Sequence, residues 1–441
     1  MGAALVFVRA AHAGNDDELF VGSQAAMTGG AVSAMVSDAS ATWYNPAGVG
    51  AVSLDQIDVS GTFYALRFYA ARGFLTSTSG ESDPGSVIEF VSVPSQIAYV
   101  RRLGAGVSLG LGYFAPQAQN LVLRESLSVP LREPGAEATA NDEVTWQLAF
   151  NGVRVQHTAA AALGFALSPR VRMGLSAIGT YQNEIQSVSL AGLRTQGGEA
   201  TAFLGTMQLG TSSLLGVELG AGFQMDLDSA WRLGLSLRSV RLLIYQSLHV
   251  LGASGLASRT GDEVSIGGVT LEPRQSTASL AVLRGGRAGL SLARRTSRGD
   301  WAALELDVQP GVYNERLGID RQTVVNARLG GYYRVSETLA VGAGIFSDRS
   351  ADVPPRDALN ARGDFYGATL GFELSDRHRL LDGERDGALS FTSTFAFRYA
   401  YSNGTLNDVL VDPADLSTLD GHLGPMIVHE LGFYVGGGIS Y

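Results

Sequence analysis

From Leu54 to Tyr441 the chain alternates between apolar and small or polar residues with a period of two, and no stretch sustains a helical period. Between Leu215 and Leu227 the odd positions are Leu215, Val217, Leu219, Ala221, Phe223 and Met225. The even positions between them are Gly216, Glu218, Gly220, Gly222, Gln224 and Asp226. Phe391, Phe395, Phe397, Tyr399 and Tyr401 share a face in the same way, as do Ile427, Leu431, Phe433, Val435 and Ile439. Successive side chains of a strand point to opposite sides of its sheet, so each such segment has one apolar and one polar face.

About fourteen segments follow this pattern, at 54–70, 86–102, 105–116, 153–168, 170–187, 214–228, 231–249, 276–295, 301–310, 322–335, 338–347, 363–376, 386–402 and 426–441. Most exceed the roughly 10 residues that a tilted strand needs to cross a bilayer. Short links at 102–105, 168–170, 228–231, 296–300 and 336–338 alternate with long ones at 71–85, 117–152, 188–213, 250–275, 311–321, 348–362 and 403–425. Short turns at one end and long loops at the other mark a transmembrane barrel. A soluble sandwich would bury its apolar faces against each other and use shorter strands. The expected fold is therefore all-β, a closed antiparallel transmembrane β-barrel over 54–441, because closure leaves no unpaired strand edge in lipid. Trp231 and Trp301 open strands after short links, Tyr332 and Tyr333 lie near the end of another, and Tyr441 ends the chain. All five are expected in an interfacial girdle.

Composition narrows the function. A formal net charge of −10 argues against a nucleic-acid partner. There is no cysteine, hence no disulfide and no thiolate metal site. No apolar run reaches the ~18–20 residues of a membrane helix. The histidines (His12, His157, His249, His378, His422 and His429) show no metal-ligand spacing. Gly289-Leu290-Ser291-Leu292-Ala293 lacks the final Gly of a nucleophile elbow and lies within a strand. No catalytic residue, metal or cofactor is expected, and the chain reads as a non-enzyme.

The first 53 residues do not alternate. Residues 1–13 read as the tail of a secretion signal, with an apolar core at Ala3–Val8 and a small-x-small site at Ala11-His12-Ala13, so that a mature chain would begin near Gly14. Residues 14–53 are rich in small side chains and are expected to fold inside the lumen as a hatch. Asn45-Pro46-Ala47-Gly48 is a turn in its chemistry and would seat that hatch.

The run Ala25 to Gly50, with Gly29-Gly30-Ala31, Asp38-Ala39-Ser40 and Trp43-Tyr44-Asn45-Pro46-Ala47-Gly48, resembles the FadL/TodX family of outer-membrane transporters for hydrophobic compounds. The resemblance implies a fourteen-stranded barrel in the bacterial outer membrane, surrounded by lipid and lipopolysaccharide. It also implies an N-terminal hatch bearing the Asn-Pro-Ala motif and a last strand, here ending in Tyr441, that the barrel-assembly machinery reads. The implied activity is uptake of long-chain fatty acids or of aromatic or aliphatic hydrocarbons, with hatch movement leading to a sideways opening near a kinked third strand. Phe114 and Pro116 are the gate candidates, since a proline lacks the ladder donor and either ends the strand or interrupts its pairing; Pro94 is a similar break in the second strand. For Asn45, Pro46, Ala47 and Gly48 a structural turn and a gating role both stay open.

Two of the long connections are unusually apolar. Leu121, Leu123 and Leu127 in 117–152, with Phe203, Leu204 and Met207 in 188–213, are expected to form a capture groove for a hydrophobic small molecule, or else a loop core without ligand. Glu218, Glu305, Asp307, Arg328, Glu373, Arg398 and Glu430 fall on lumen faces and are expected to be paired or hydrated. The alternative to transport is a structural or partner-binding outer-membrane barrel.

Overall fold

The alternating segments do form strands. The computed structural model describes residues 19–131, 142–353, 359–379 and 388–441, so the expected signal remnant lies outside the described residues. The wall begins with β1 Gln56–Ala71, β2 Gly85–Gly104, β3 Val107–Pro130, β4 Glu143–Ala166, β5 Val171–Gln196 and β6 Glu199–Asp226. β7 comes in two pieces, Trp231–Arg238 and Arg241–Thr260, and β8 in four, Glu263–Ile266, Thr270–Ala278, Ala281–Arg284 and Arg287–Arg295. β9 Trp301–Gln309, β10 Val324–Arg334, β11 Leu339–Asp348, β12 Ala361–Arg379, β13 Ala388–Val411 and β14 Leu419–Ser440 complete it. Each strand pairs antiparallel with the next, and β1 pairs with β14 from Gln56↔Ser440 to Ala71↔Met426, which closes the sheet. The expected fourteen-stranded barrel is the fold.

The apolar faces point outward. Leu175, Leu219 and Leu370 are 60–66% exposed, which is stable only against lipid. Twelve residues separate Tyr441 from His429, which lies against Tyr399 and Tyr401 in an upper aromatic belt. At ~3.3 Å per residue and a tilt of ~45° that is about 28 Å, close to the apolar band of a barrel. Trp231, Tyr333 and Tyr441 are exposed at the short-turn end as expected. Trp301 and Tyr332 are not: both are buried in the lumen, where their rings stack 6.1 Å apart, because odd positions of β9 and even positions of β10 face inward. At one short turn Asp228 Oδ1 accepts the amides of Ala230 and Trp231 at 2.6 and 2.7 Å, which hold its carboxyl below the usual carboxylate range.

The strands run far beyond the membrane. β5 and β6 have 26 and 28 residues and meet in a two-residue turn, Gly197-Gly198, both with positive φ. The connections expected as loops at 117–152, 188–213 and 250–275 are therefore mostly strand, and the reason is visible in the alternation. Within the membrane the outward positions of β4 are apolar and small (Leu163, Ala161, Ala159); above it the inward positions become apolar (Phe150, Leu148, Trp146, Val144) and the outward ones are Asn151, Ala149, Gln147 and Thr145. The barrel changes from lipid-facing to water-facing, so the greasy face moves inside.

Residues 19–53 pack within the wall at the short-turn end. Helices α1 Ser23–Met27 and α2 Ala41–Tyr44 and a 3₁₀ turn, Pro46–Ala51, are too short to be stable alone and draw their order from burial. The backbone of this segment comes so close to the wall that inward positions facing it carry glycine. A Cβ at Gly174 would meet the Pro46 carbonyl, one at Gly330 the Thr28 carbonyl, and one at Gly234 would lie 2.6 Å from Ala34 Cα. Polar contacts fix the fit. The Asn45 side chain is fully buried: its Nδ2 donates to the carbonyls of Ser33 (2.8 Å) and Phe223 (3.3 Å), and its Oδ1 accepts the Ala47 amide (3.1 Å). Pro46 opens the 3₁₀ turn, where its missing N–H costs nothing. Glu305 accepts the Ser33 amide at 2.9 Å, and Gln224 donates to the carbonyls of Ser33 and Val36 at 3.1 Å.

Two substitutions test this seating. Gly174→Val should lower the temperature at which the folded band is lost on a detergent gel, by an overpacking penalty of about 1–3 kcal/mol. Gly179→Val, on the outward face with nothing near its Cβ, should leave that temperature unchanged. Asn45→Asp should be more damaging than Asn45→Ala in the same assay, because it aims a buried carboxylate at two carbonyls.

Candidate functional site

β3 is irregular at the level of Pro116. It pairs with β4 along its whole length, from Val107↔Phe165 to Pro130↔Glu143, with a register shift between Phe114 and Gln117. Its ladder with β2 stops at Gln96↔Phe114, although β2 continues to Gly85 and β3 to Pro130. Pro116 thus interrupts pairing and does not end the strand, and Pro94 lies in the part of β2 that has lost its β3 partner. The barrel has a seam at this point without a backbone ladder. Phe114 points into the lumen, fully buried, and its ring lies 5.4 Å from that of Trp43.

Three successive edge-facing residues of β3 find partners outside any ladder. The Leu19 amide donates to the Pro116 carbonyl at 3.0 Å, Arg67 Nη1 donates to the Ala118 carbonyl at 3.3 Å, and Glu89 Oε1 accepts the Asn120 amide at 2.6 Å. Leu19, Ala65, Val91 and Ala118 form a separate buried apolar cluster across the seam.

The six residues expected in a capture groove fall on two faces. Leu121, Leu123, Leu127 and Leu204 point inward, 2–7% exposed, and belong with Trp146, Leu190, Phe74 and Leu75 to the core that fills the upper lumen. Phe203 and Met207 point outward, 46% and 49% exposed. They border a groove of about 810 Å³ on the outer surface, between the β5–β6 and β7–β8 hairpins, floored by Ala149, Ala191, Gly205 and Gly255 and faced by Ile266 and Val269. Phe203 and Leu204 are adjacent in sequence and therefore cannot share a face of a strand.

A cavity of about 250 Å³ inside the barrel was not foreseen. Gln117, Arg154, Gln156, Gln182, Arg241 and Arg284 contribute to its lining. Arg154 Nη2 donates to Gln117 Oε1 at 3.1 Å, and Arg241 pairs with Glu218 at 3.2 Å, so the polar layer reaches the register shift of β3. Its signal in the sequence is the recurrence of glutamine at inward positions, Gln117, Gln156, Gln182 and Gln186. The other lumen charges are paired as expected: Arg328 with Glu305 (3.4 Å) and Asp307 (3.3 Å), Arg398 with Glu430 (3.1 Å), and Glu373 with the Tyr332 hydroxyl (2.9 Å). At the far end Arg194 on β5 donates to the carbonyls of Pro413 and Ala414 at 2.6 Å. It thereby ties the β5–β6 hairpin to the connection between β13 and β14. In that connection the Ser417 and Thr418 hydroxyls and the Ser417 amide hold the Asp415 carboxyl low.

No protein-family model and no curated protein matches the sequence. Solved structures do. A FadL homologue of Pseudomonas aeruginosa superposes with a TM-score of 0.61 at 13% identity, over 94% of this chain and 97% of that one. The Pseudomonas putida toluene transporter TodX gives 0.52 at 12% identity over 95% and 98%, and the monoaromatic hydrocarbon channel CymD 0.51 at 12% over 96% and 97%. At these identities the likeness is one of fold, and it spans both chains nearly end to end. The chain has the FadL/TodX-type fold, a closed fourteen-stranded barrel of the bacterial outer membrane.

Proposed function

We propose that the protein carries hydrophobic small molecules across the outer membrane, taking them up on the groove beside Phe203 and Met207 and releasing them sideways through the β2–β3 seam. By the rule that short turns face the periplasm, the groove lies outside the cell, above the lipid band. The observation that carries this reading is the seam. A barrel gains nothing structurally by leaving part of two neighbouring strands unpaired in lipid, where each bare backbone group costs several kcal/mol. It does gain an exit that spares an oily solute the polar lumen. Residues 19–53 would act as the hatch, since Trp43 rests on Phe114 and Leu19 on Pro116. Solved channels of this fold are described as a toluene transporter and a monoaromatic hydrocarbon channel, which supports small apolar compounds as the cargo class; long-chain fatty acids and aliphatic hydrocarbons belong to the same reading.

A second reading has its own observation. Val264, Ile266, Val269 and Leu271 at the tip of the β7–β8 ribbon are 65–74% exposed, and Thr270–Ala278 pairs only with β7 among the described strands. An apolar open edge is where another chain can add a strand. Val264 and Leu271 lie outside the groove lining, so replacing both with Ser should leave uptake intact if transport is the function and abolish capture of a partner if it is not.

Phe203→Asp with Met207→Asp should reduce uptake of a fluorescent apolar probe by intact cells at least ~10-fold, since each side chain offers about 1.5–3 kcal/mol of apolar burial. Assembly should be unaffected, as both residues are already exposed. Unchanged uptake removes the groove from the mechanism. Proteoliposomes of the intact protein should not swell in isosmotic sugar; swelling would indicate an aqueous pore.

A further inference from the structure

The seam between β2 and β3 is closed by side chains, and the residues that close it form a line around the wall. Arg67 on β1 is directly opposite Glu89 on β2 and directly opposite Glu430 on β14. All three point inward and are 0–3% exposed. Arg67 Nε donates to Glu430 at 2.7 Å and its Nη1 to Glu89 at 3.3 Å, while the Tyr69 hydroxyl donates to Glu89 at 2.6 Å. At the open side of this row the same two groups reach the bare edge of β3: Glu89 takes the Asn120 amide and Arg67 the Ala118 carbonyl.

We propose that Arg67 and Glu89 are a releasable latch on the side opening, standing in for the ladder that β2 and β3 lack. This rests on the reading of the seam as an exit. Below Gln96↔Phe114 the two strands are held by consecutive backbone pairs, and parting them would require several hydrogen bonds to break together. Above it the backbone of β3 is met at Pro116, Ala118 and Asn120 by Leu19, Arg67 and Glu89, each a group that can leave without moving a wall strand. Leu19 belongs to the leading segment; Arg67 and Glu89 are side chains with other partners to fall back on, Glu430 for the arginine and Tyr69 for the carboxylate. The latch also explains how an open edge persists in lipid: residues 116, 118 and 120, the alternate positions that face β2, each have a backbone group satisfied by a charged side chain or by the hatch. Arg67 and Glu89 are positioning residues for transport and need make no contact with cargo.

The chain has no cysteine, so Ala118→Cys supplies a single thiol at the seam. In liposomes its reaction with a membrane-soluble maleimide should be slow. Glu89→Ala should accelerate it at least tenfold, and Glu89→Gln, which keeps an acceptor for the Asn120 amide but loses the ion pair, should fall between. Tyr69→Phe is the milder variant should Glu89→Ala fail to assemble, with assembly read from the heat-sensitive gel band. Equal rates in all variants that assemble would overturn the latch. A short bis-maleimide bridging Val91→Cys to Ala118→Cys should stop uptake of the apolar probe, and undiminished uptake would show that the seam is not the exit. If thiol rates shift as expected but even the parent protein takes up no probe, the latch stands and the transport reading alone falls.

Discussion

Lipid offers no hydrogen-bond partners, and that one constraint organises the molecule. It requires every backbone N–H and C=O of the wall to be satisfied within the protein, which a sheet achieves only by closing on itself. The pairing of β1 with β14 meets it at the ends of the sequence, and thirteen further strand junctions meet it around the wall. The upper part of the β2–β3 seam meets it differently. Pro116 removes one donor outright, Leu19 supplies another, and Arg67 and Glu89 serve the next two groups. A position where ladder bonds are exchanged for side-chain bonds has the same satisfaction with far less cooperativity. On the proposed reading, that difference is what would let this part of the wall open.

Closure creates a second problem, which is what to put inside. The answer is layered. At the periplasmic end residues 19–53 fill the lumen against glycines; in the middle is the glutamine- and arginine-lined cavity; at the outer end Trp146, Leu127, Leu190 and their neighbours form a dry core. The top and bottom layers are close-packed, and the middle one is roomy and polar. An apolar solute would meet a polar, charge-bearing layer if it tried to pass straight down the barrel, and the polar layer ends at Gln117, on the register shift of β3. The interior thus penalises the axial route at the depth where the seam begins.

The barrel was legible in the sequence because alternation is a local property: Leu215 to Leu227 declares its two faces without reference to any other strand. The strand ends above the membrane were not, since the apolar parity there inverts. Val144, Trp146, Leu148 and Phe150 alternate as cleanly as the membrane segments but on the opposite face, and without the third dimension they resemble a greasy loop. Phe203 and Leu204, adjacent on one strand, necessarily face opposite ways, so a groove assigned by hydrophobicity alone mixed inner and outer residues. Trp301 and Tyr332 illustrate the converse: an aromatic near a strand end belongs to the girdle only if its parity is outward. Pro116 announced an interruption in the ladder. What replaces the ladder could not be read, because Arg67 and Ala118 are 51 residues apart and Glu89 and Asn120 31, and they meet only through the register of the folded sheet.

The leading segment binds these features together. Trp43 packs on Phe114 and also lies 4.1 Å beneath the Arg238 guanidinium, which donates to the Trp43 carbonyl; Leu19 caps Pro116 and plugs the space between Ala65, Val91 and Ala118. One short stretch of chain therefore packs against both the lumen wall and the seam. Withdrawing Leu19 bares the Pro116 carbonyl and empties the apolar cluster, while shifting Trp43 exposes Phe114 at the lower limit of the gap. Neither movement disturbs a wall ladder, because the glycine-lined wall gives the segment its seat through close contact and a few polar bonds, with no strand pairing. The same absence of pairing that lets residues 19–53 sit inside a finished barrel is what would let them move without unravelling it.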